Sequence, residues 1–130
     1  MRSAVINGVS LEYETRGDGE AVALIHLAPY ADSFADQPAL SSYRLIRYHR
    51  RGYAGSSRTA GPVSLADQAA DLAGLLRYLD VRCAHVVGHS YGGLIALQLA
   101  LDCPELVSSL VAHGTRVARA CGRSSLSGPK

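Results

Sequence analysis

A serine flanked by glycines lies in the middle of the chain, where positions 88–93 read Gly-His-Ser-Tyr-Gly-Gly. A short apolar run at 84–87 precedes this segment, and a longer one at 94–101 follows it. The order of strand, G-x-S-x-G and helix is typical of a nucleophile elbow. Such a turn holds its serine, here Ser90, at a strained positive φ and exposes the hydroxyl for attack on a carbonyl carbon. We therefore predict that Ser90 is a catalytic nucleophile.

The residues next to Ser90 agree with this chemistry. Gly88 and Gly92 lack the Cβ atom that would collide across so tight a turn. The helix that follows directs unpaired N–H groups towards an oxyanion beside Ser90, and Tyr91 supplies one such donor. His89, inside the elbow, is expected to be structural. A phosphate-binding turn or an accidental Gly-rich turn is the alternative, but the chain has neither G-x-G-x-x-G nor G-K-[ST].

The remaining sequence predicts the elements that position this turn. Asn7 and Gly8 between two alternating segments indicate a β-hairpin, and Ser64 is a good N-cap for a helix that runs to Leu79. We expect the polar residues of this helix to form a solvated face: Asp67, Gln68, Asp71 and Arg77. Further strands are predicted at 22–26, 43–48, 84–87 and 106–112. Strands that alternate with helices indicate an α/β fold.

The chain resembles the N-terminal part of the α/β-hydrolase fold family, in its serine-nucleophile branch, from about Ile6 to Leu110. Besides the elbow, residues 21–29 are similar to the family's strand and His-Gly-x-Pro segment, and residues 43–57 to its strand and D-x-R-G-x-G-x-S loop. The resemblance implies a mostly parallel sheet of about six strands with flanking helices, without the family's last strands. It also implies an oxyanion hole formed by the backbone N–H groups of Ala28 and Tyr91, with Leu27 as the second choice for the first donor.

Three positions depart from the family's pattern. Leu27 and Ala54 stand where the family usually has Gly, and His49 stands where it usually has Asp. The serine at the elbow distinguishes the chain from the related dehalogenase and epoxide hydrolase branches, which have Asp there.

The resemblance implies that a triad acid and a histidine follow Ser90, in that order. The only acids after Ser90 are Asp102 and Glu105, and the only histidine is His113. Both acids follow the far end of the helix after Ser90, and we expect them at the surface. His113 ends the sixth strand at the same sheet edge as Ser90, so it is the one candidate base; a strand-end histidine bonded to backbone is the alternative. For His26 we expect a packing role.

The end of the chain differs in character from the rest. Residues 1–114 are predicted to form a truncated hydrolase domain, whereas 115–130 have no periodicity to bury and are predicted to be disordered or foreign to the fold. The sixth strand would then be an open edge lined by Val107, Leu110 and Val111, which favours self-association.

Composition excludes several classes of function. A net charge of +2 without a basic cluster argues against nucleic-acid binding, and the longest apolar stretch, broken by Gln98, is too short for a membrane span. No signal-peptide core follows Met1. Three scattered cysteines, Cys83, Cys103 and Cys121, indicate free thiols, no metal site and a cytoplasmic location. We expect no cofactor and a small-molecule substrate, an ester or related carbonyl compound; a non-catalytic fragment or binding module is the alternative.

Overall fold

The computed structural model describes residues 1–27 and 38–115. These residues form a sheet and two helices, in the chain order β1 Arg2–Ile6, β2 Val9–Arg16, β3 Ala21–Ile25, β4 Arg44–Tyr48, α1 Leu65–Tyr78, β5 Ala84–His89, α2 Tyr91–Asp102 and β6 Val107–His113. Short 3-10 turns at Pro38–Leu40 and Pro104–Leu106 precede β4 and β6. Each predicted strand and the predicted helix after Ser64 is confirmed to within two residues at its ends.

The sheet has six strands in the order β1-β2-β4-β3-β5-β6. The pairs β1–β2 and β2–β4 are antiparallel, and the three remaining pairs are parallel. The predicted mostly parallel α/β sheet is therefore confirmed. Because parallel strands end at one edge of a sheet, the segments that follow β3, β4, β5 and β6 meet at that edge. Ser90, which follows β5, lies there.

The core lies between the sheet and the two helices. All residues of β3 are buried, as expected for a central strand with neighbours on both sides. Alternate residues of the other strands, such as Ile46 and Val86, join Leu72, Leu76 and Ile95 of the helices in one apolar cluster. This packing holds the β5–α2 turn against the centre of the sheet.

Helix α1 begins at its predicted cap, because the Ser64 hydroxyl accepts a hydrogen bond from the Asp67 N–H at 3.0 Å. The prediction of a fully solvated polar face is wrong for two residues: Gln68 and Asp71 are buried. They are buried because arginines in the loop after β4 supply hydrogen-bond partners, which offset the cost of removing the polar groups from water.

Strand β6 lies at one edge of the described sheet, as predicted, with β5 as its neighbour. The side chain of Val111 is 54% exposed. Pairing with β5 shifts register between Ala84 and His85, so that Ala84 lies opposite Val107 whereas His85 lies opposite Ser109. One extra residue, Ser108, is therefore accommodated on β6 as a bulge.

In the described ranges, no helix is long and apolar enough to cross a membrane. Of the predicted tail at 115–130, only Thr115 belongs to those ranges. The interpretation of the tail as disordered or foreign to the fold therefore stays a prediction.

Candidate active site

Ser90 lies in the turn between β5 and α2 with φ 56° and ψ −114°. The predicted positive φ is confirmed, and for a residue with a Cβ atom it costs about 1–3 kcal/mol. Backbone contacts hold the turn: the Ser90 N–H donates to the His113 carbonyl at 2.7 Å. The Ser90 carbonyl accepts from the Gly93 N–H and from the Thr115 hydroxyl, both at 2.8 Å. The strained conformation is thus fixed by neighbours on α2 and just after β6.

The glycines around Ser90 are required by close backbone approaches. A Cβ atom on Gly88 would overlap the carbonyl of Gly92, across the turn. A Cβ atom on Gly92 would overlap the carbonyl of Ile25, at the end of the neighbouring strand β3. In both cases the obstacle is backbone, which cannot rotate away as a side chain can. Glycine at both positions is therefore a condition for the Ser90 conformation.

Tyr91 is the first residue of α2, so its N–H group has no acceptor within the helix. It lies at the positive end of the helix dipole, where negative charge is stabilised. The other predicted oxyanion donor is the N–H group of Ala28. Ala28 lies outside the described residues, so that assignment stays a prediction. Leu27, the second choice, is the last described residue after β3.

His26 connects the end of β3 to the loop after β4. Its Nε2 atom accepts the Arg50 N–H at 2.9 Å, so Nδ1 carries the proton and lies 3.2 Å from the Leu27 carbonyl. The ring is buried and packs edge-on against Tyr53, with 5.3 Å between ring centroids. The expected packing role of His26 is confirmed by these contacts.

Two departures from the family's pattern are accommodated in the loop at 49–57. His49 donates from Nδ1 to the Glu12 carboxylate at 2.8 Å, and the Gly55 N–H donates to the same oxygen at 2.8 Å. The bond from His49 is the main reason that the pKa of Glu12 lies below its ordinary value. Ala54 adopts φ 48°, the left-handed conformation in which glycine is more usual. Strand β2 thus fixes this loop through Glu12.

Arg50 occupies a buried position next to the elbow that the sequence did not reveal. Only 2% of its surface is exposed, and its Nη1 atom donates to the Gln68 side chain at 2.6 Å. The guanidinium carbon lies 4.7 Å from the Tyr53 ring centroid and 5.2 Å from that of Tyr91. These distances are those of cation–π contacts. The cation therefore packs against the side chain of the candidate oxyanion donor.

Arg51 forms a two-bond ion pair with Asp71 of α1. Its Nε and Nη2 atoms each lie 2.8 Å from a carboxylate oxygen, and this pairing raises the pKa of the guanidinium. The Asn7 amide also donates to Asp71, at 3.3 Å. No local signal in the sequence indicates this pairing, because Arg51 lies 20 residues before Asp71.

His113 lies beside the elbow, but its imidazole packs against another histidine. The rings of His113 and His89 have centroids 5.2 Å apart, and the backbone carbonyl of His113 is the group bonded to Ser90. The contact between His113 and Ser90 that the described residues, 1–27 and 38–115, show is one of backbone atoms. Asp102 and Glu105 are exposed, as predicted. In the same ranges, no group of three His, Cys, Asp or Glu side chains is arranged to hold a metal ion.

A family model described as the alpha/beta hydrolase fold matches residues 26–126. The chain belongs to this family. The match includes the loop after β4 and the Ser90 turn, two of the three segments that carried the resemblance in the sequence.

Several known proteins are similar to the chain. The "Putative carbamate hydrolase RutD" of Variovorax paradoxus is 41% identical over 110 residues, which cover 78% of this chain and 41% of that protein. The "Putative non-heme bromoperoxidase BpoC" of Mycobacterium tuberculosis is 35% identical, with 83% and 43% of the two chains covered. A solved meta-cleavage product hydrolase from Pseudomonas fluorescens superimposes with a TM-score of 0.78 at 32% identity, covering 89% of this chain and 46% of that one. The chain thus spans less than half the length of these three proteins.

Proposed function

We propose that the chain carries the nucleophile of a serine hydrolase that acts on small esters or related carbonyl substrates through an acyl-enzyme at Ser90. One observation carries the proposal: Ser90 has a strained positive φ between two glycines that the backbone requires. Strain of this kind persists only where surrounding contacts maintain it, and it is concentrated at functional sites. The names of the similar proteins, which include a carbamate hydrolase and a meta-cleavage product hydrolase, support hydrolysis as the class of reaction.

The proposed reaction begins when the Ser90 hydroxyl oxygen attacks the substrate carbonyl carbon while a base takes the hydroxyl proton. The negative charge that develops on the carbonyl oxygen is stabilised by the N–H groups of Tyr91 and Ala28 and by the start of α2. The proton then passes to the leaving group, and an acyl ester on Ser90 remains. Water hydrolyses this ester in a second, equivalent step. The reaction requires no cofactor.

The mechanism needs a base beside Ser90. His113 is the candidate from this chain, since its backbone contacts Ser90 and β6 ends at the same sheet edge. In the described structure its ring lies against His89 instead. A non-catalytic role, as a binding module that retains the hydrolase turn, is therefore the second candidate function. Without a base, the oxyanion donors alone would support only weak ester hydrolysis.

The experiment is labelling of the 130-residue chain with a fluorophosphonate probe, followed by mass-spectrometric location of the modified residue. Trypsin leaves Ser90, Ser108 and Ser109 in one peptide, 83–116, so fragment ions must separate them. We expect modification at Ser90 that disappears in Ser90→Ala and persists in the control Ser108→Ala. A folded chain that is unlabelled at Ser90 would exclude the activated nucleophile and favour the binding module. Loss of labelling in His113→Ala would identify the base.

A further inference from the structure

A second serine of the chain is hydrogen-bonded to a histidine that is in turn bonded to a carboxylate. His85 of β5 has its Nδ1 atom 2.6 Å from the Ser109 hydroxyl oxygen of β6, and its Nε2 atom 2.5 Å from a Glu20 carboxylate oxygen. The three side chains come from a loop and two strands that are distant in sequence. They lie near the beginning of β5, roughly 16 Å from Ser90 along a strand that rises about 3.3 Å per residue.

When the imidazole of His85 is neutral, its two partners fix the directions of these hydrogen bonds. An ionised carboxylate can only accept hydrogen bonds, so the Nε2 atom of His85 must carry the proton that Glu20 accepts. In neutral imidazole the Nδ1 atom is then an acceptor, and the Ser109 hydroxyl must donate to it. A serine that donates to a histidine oriented by a carboxylate has the connectivity of an activated nucleophile.

The β-bulge in β6 creates this contact. Ala84 lies opposite Val107, so without a shift in register the next residue, His85, would lie opposite Ser108. The bulge places His85 opposite Ser109 instead, on the same face of the sheet. Bulges commonly redirect a side chain next to an active site. The Ser109 contact therefore depends on a specific irregularity in the pairing of β5 and β6.

The surroundings of His85 are open to a small molecule. Glu20 and His85 line a cleft of about 390 Å³, together with Arg44, Asp80, Arg82 and the bulged Ser108. Ser109 itself does not line the cleft; it is exposed and is hydrogen-bonded to His85, which does. Arg82 is exposed, and its guanidinium is one of the two arginine side chains in the cleft that would stabilise an oxyanion formed there. The side chain of Glu20 is 74% exposed and that of His85 is 31% exposed. Water therefore competes for the carboxylate, which makes Glu20 a positioning residue of modest effect.

We propose that Ser109, His85 and Glu20 form a second nucleophilic site, independent of Ser90, that takes acyl groups from small activated esters. The Ser109 oxygen bonds to the ester carbonyl carbon as its proton moves to Nδ1 of His85. The carbon–oxygen bond to the leaving group then breaks, and the leaving oxygen takes the proton from Nδ1. Water repeats the sequence on the acyl-Ser109 ester, so that one ester and one water give one acid and one alcohol.

The experiment uses the Ser90→Ala chain, in which the elbow serine is removed. We expect the fluorophosphonate probe to modify Ser109 in this chain, and the same chain to hydrolyse p-nitrophenyl acetate above the buffer rate. Adding Ser109→Ala should abolish the modification, whereas Ser3→Ala, at an exposed position of β1, should leave it. Adding His85→Ala should lower the labelling rate about 100-fold. Adding Glu20→Gln should lower it about tenfold, and Glu20→Asp should restore part of that loss.

Two results would overturn the second site. The first is a Ser90→Ala chain that keeps its circular dichroism spectrum but is not modified at Ser109. The second is a labelling rate at Ser109 that His85→Ala does not change. The two sites are tested separately. Labelling at Ser109 without labelling at Ser90 in the unmodified chain would support this site and contradict the Ser90 nucleophile. The reverse pattern would retain Ser90 and exclude Ser109.

Discussion

The attachment of the loop after β4 to strand β2 depends on pH through the carboxylate of Glu12. Its carboxylate accepts one hydrogen bond from the His49 ring and one from the Gly55 backbone, so it holds the loop to β2. The bond from His49 lowers the pKa of Glu12 below its ordinary 4.5, although partial burial opposes the shift. Folding therefore favours the ionised carboxylate.

We predict that the chain loses stability in acid through Glu12. A lowered pKa in the folded state contributes stability that is complete above the unfolded-state pKa. That contribution disappears as the pH falls below 4.5 and through the lower folded-state value. Glu12→Gln should therefore reduce stability at neutral pH and flatten its decline in acid. Urea unfolding over a pH series measures this, with Glu105→Gln, whose carboxylate is 65% exposed, as the control. A Glu12→Gln profile parallel to that of the unmodified chain would contradict the prediction.

Among the elements, helix α1 and the loop after β4 are held together by an ion pair between side chains as well as by apolar contacts. Asp71 is 2% exposed and accepts both bonds of Arg51, as well as one from Asn7 in the β1–β2 turn. Three separate segments thus meet at one buried carboxylate. Removal of the Asp71 carboxylate leaves the guanidinium of Arg51, whose side chain is only 19% exposed, without both of these bonds, which costs more than the pair itself contributes.

We predict that Asp71→Ala lowers the free energy of unfolding by about 3 kcal/mol. The reason is that the Arg51 guanidinium loses two bonds to its acceptor, whereas the Asn7 amide keeps its bond to the Ala70 carbonyl. Asp18→Ala, at an exposed loop position, is the matched control and should change stability by less than about 0.5 kcal/mol. Urea denaturation followed by circular dichroism gives both values. Equal effects of the two substitutions would show that the buried ion pair does not stabilise the fold.

The same elements show what the sequence could and could not reveal. Helix α1 and the Ser90 turn were predictable because their signals are local: a capping serine, helical spacing, and glycines where a Cβ atom cannot fit. The burial of Asp71 was not, because its partner Arg51 lies 20 residues earlier in an irregular loop. The Ser109–His85 contact was equally hidden, since it depends on a bulge that shifts strand pairing by one residue.

At the scale of the whole molecule, the described sheet ends in two edge strands, β1 and β6. Unpaired N–H and C=O groups beside apolar side chains favour pairing with another chain. On β6 the exposed large apolar residue is Val111, and Leu110 packs against the core from the opposite face. We propose that a second copy of this chain pairs along β6.

This proposal predicts self-association that increases with concentration. Val111→Lys should weaken it, because a charge at an edge strand disfavours pairing. The matched control is Val5→Lys, on the opposite edge strand β1, where Val5 is 74% exposed. Sedimentation equilibrium measures the molecular mass of each variant. Dissociation caused by Val5→Lys alone would assign the association to β1 and contradict pairing through β6.

The strand order has a further consequence for how the chain is made. Strand β3 lies between β4 and β5, both of which follow it in the sequence. When β3 leaves the ribosome, neither neighbour has emerged, because β4 begins only at Arg44 and β5 only at Ala84. At a synthesis rate of about 5–20 residues per second, several seconds pass between the emergence of β3 and that of β5, its second neighbour. The most completely buried strand of the finished sheet is therefore the one that a nascent chain leaves uncovered longest.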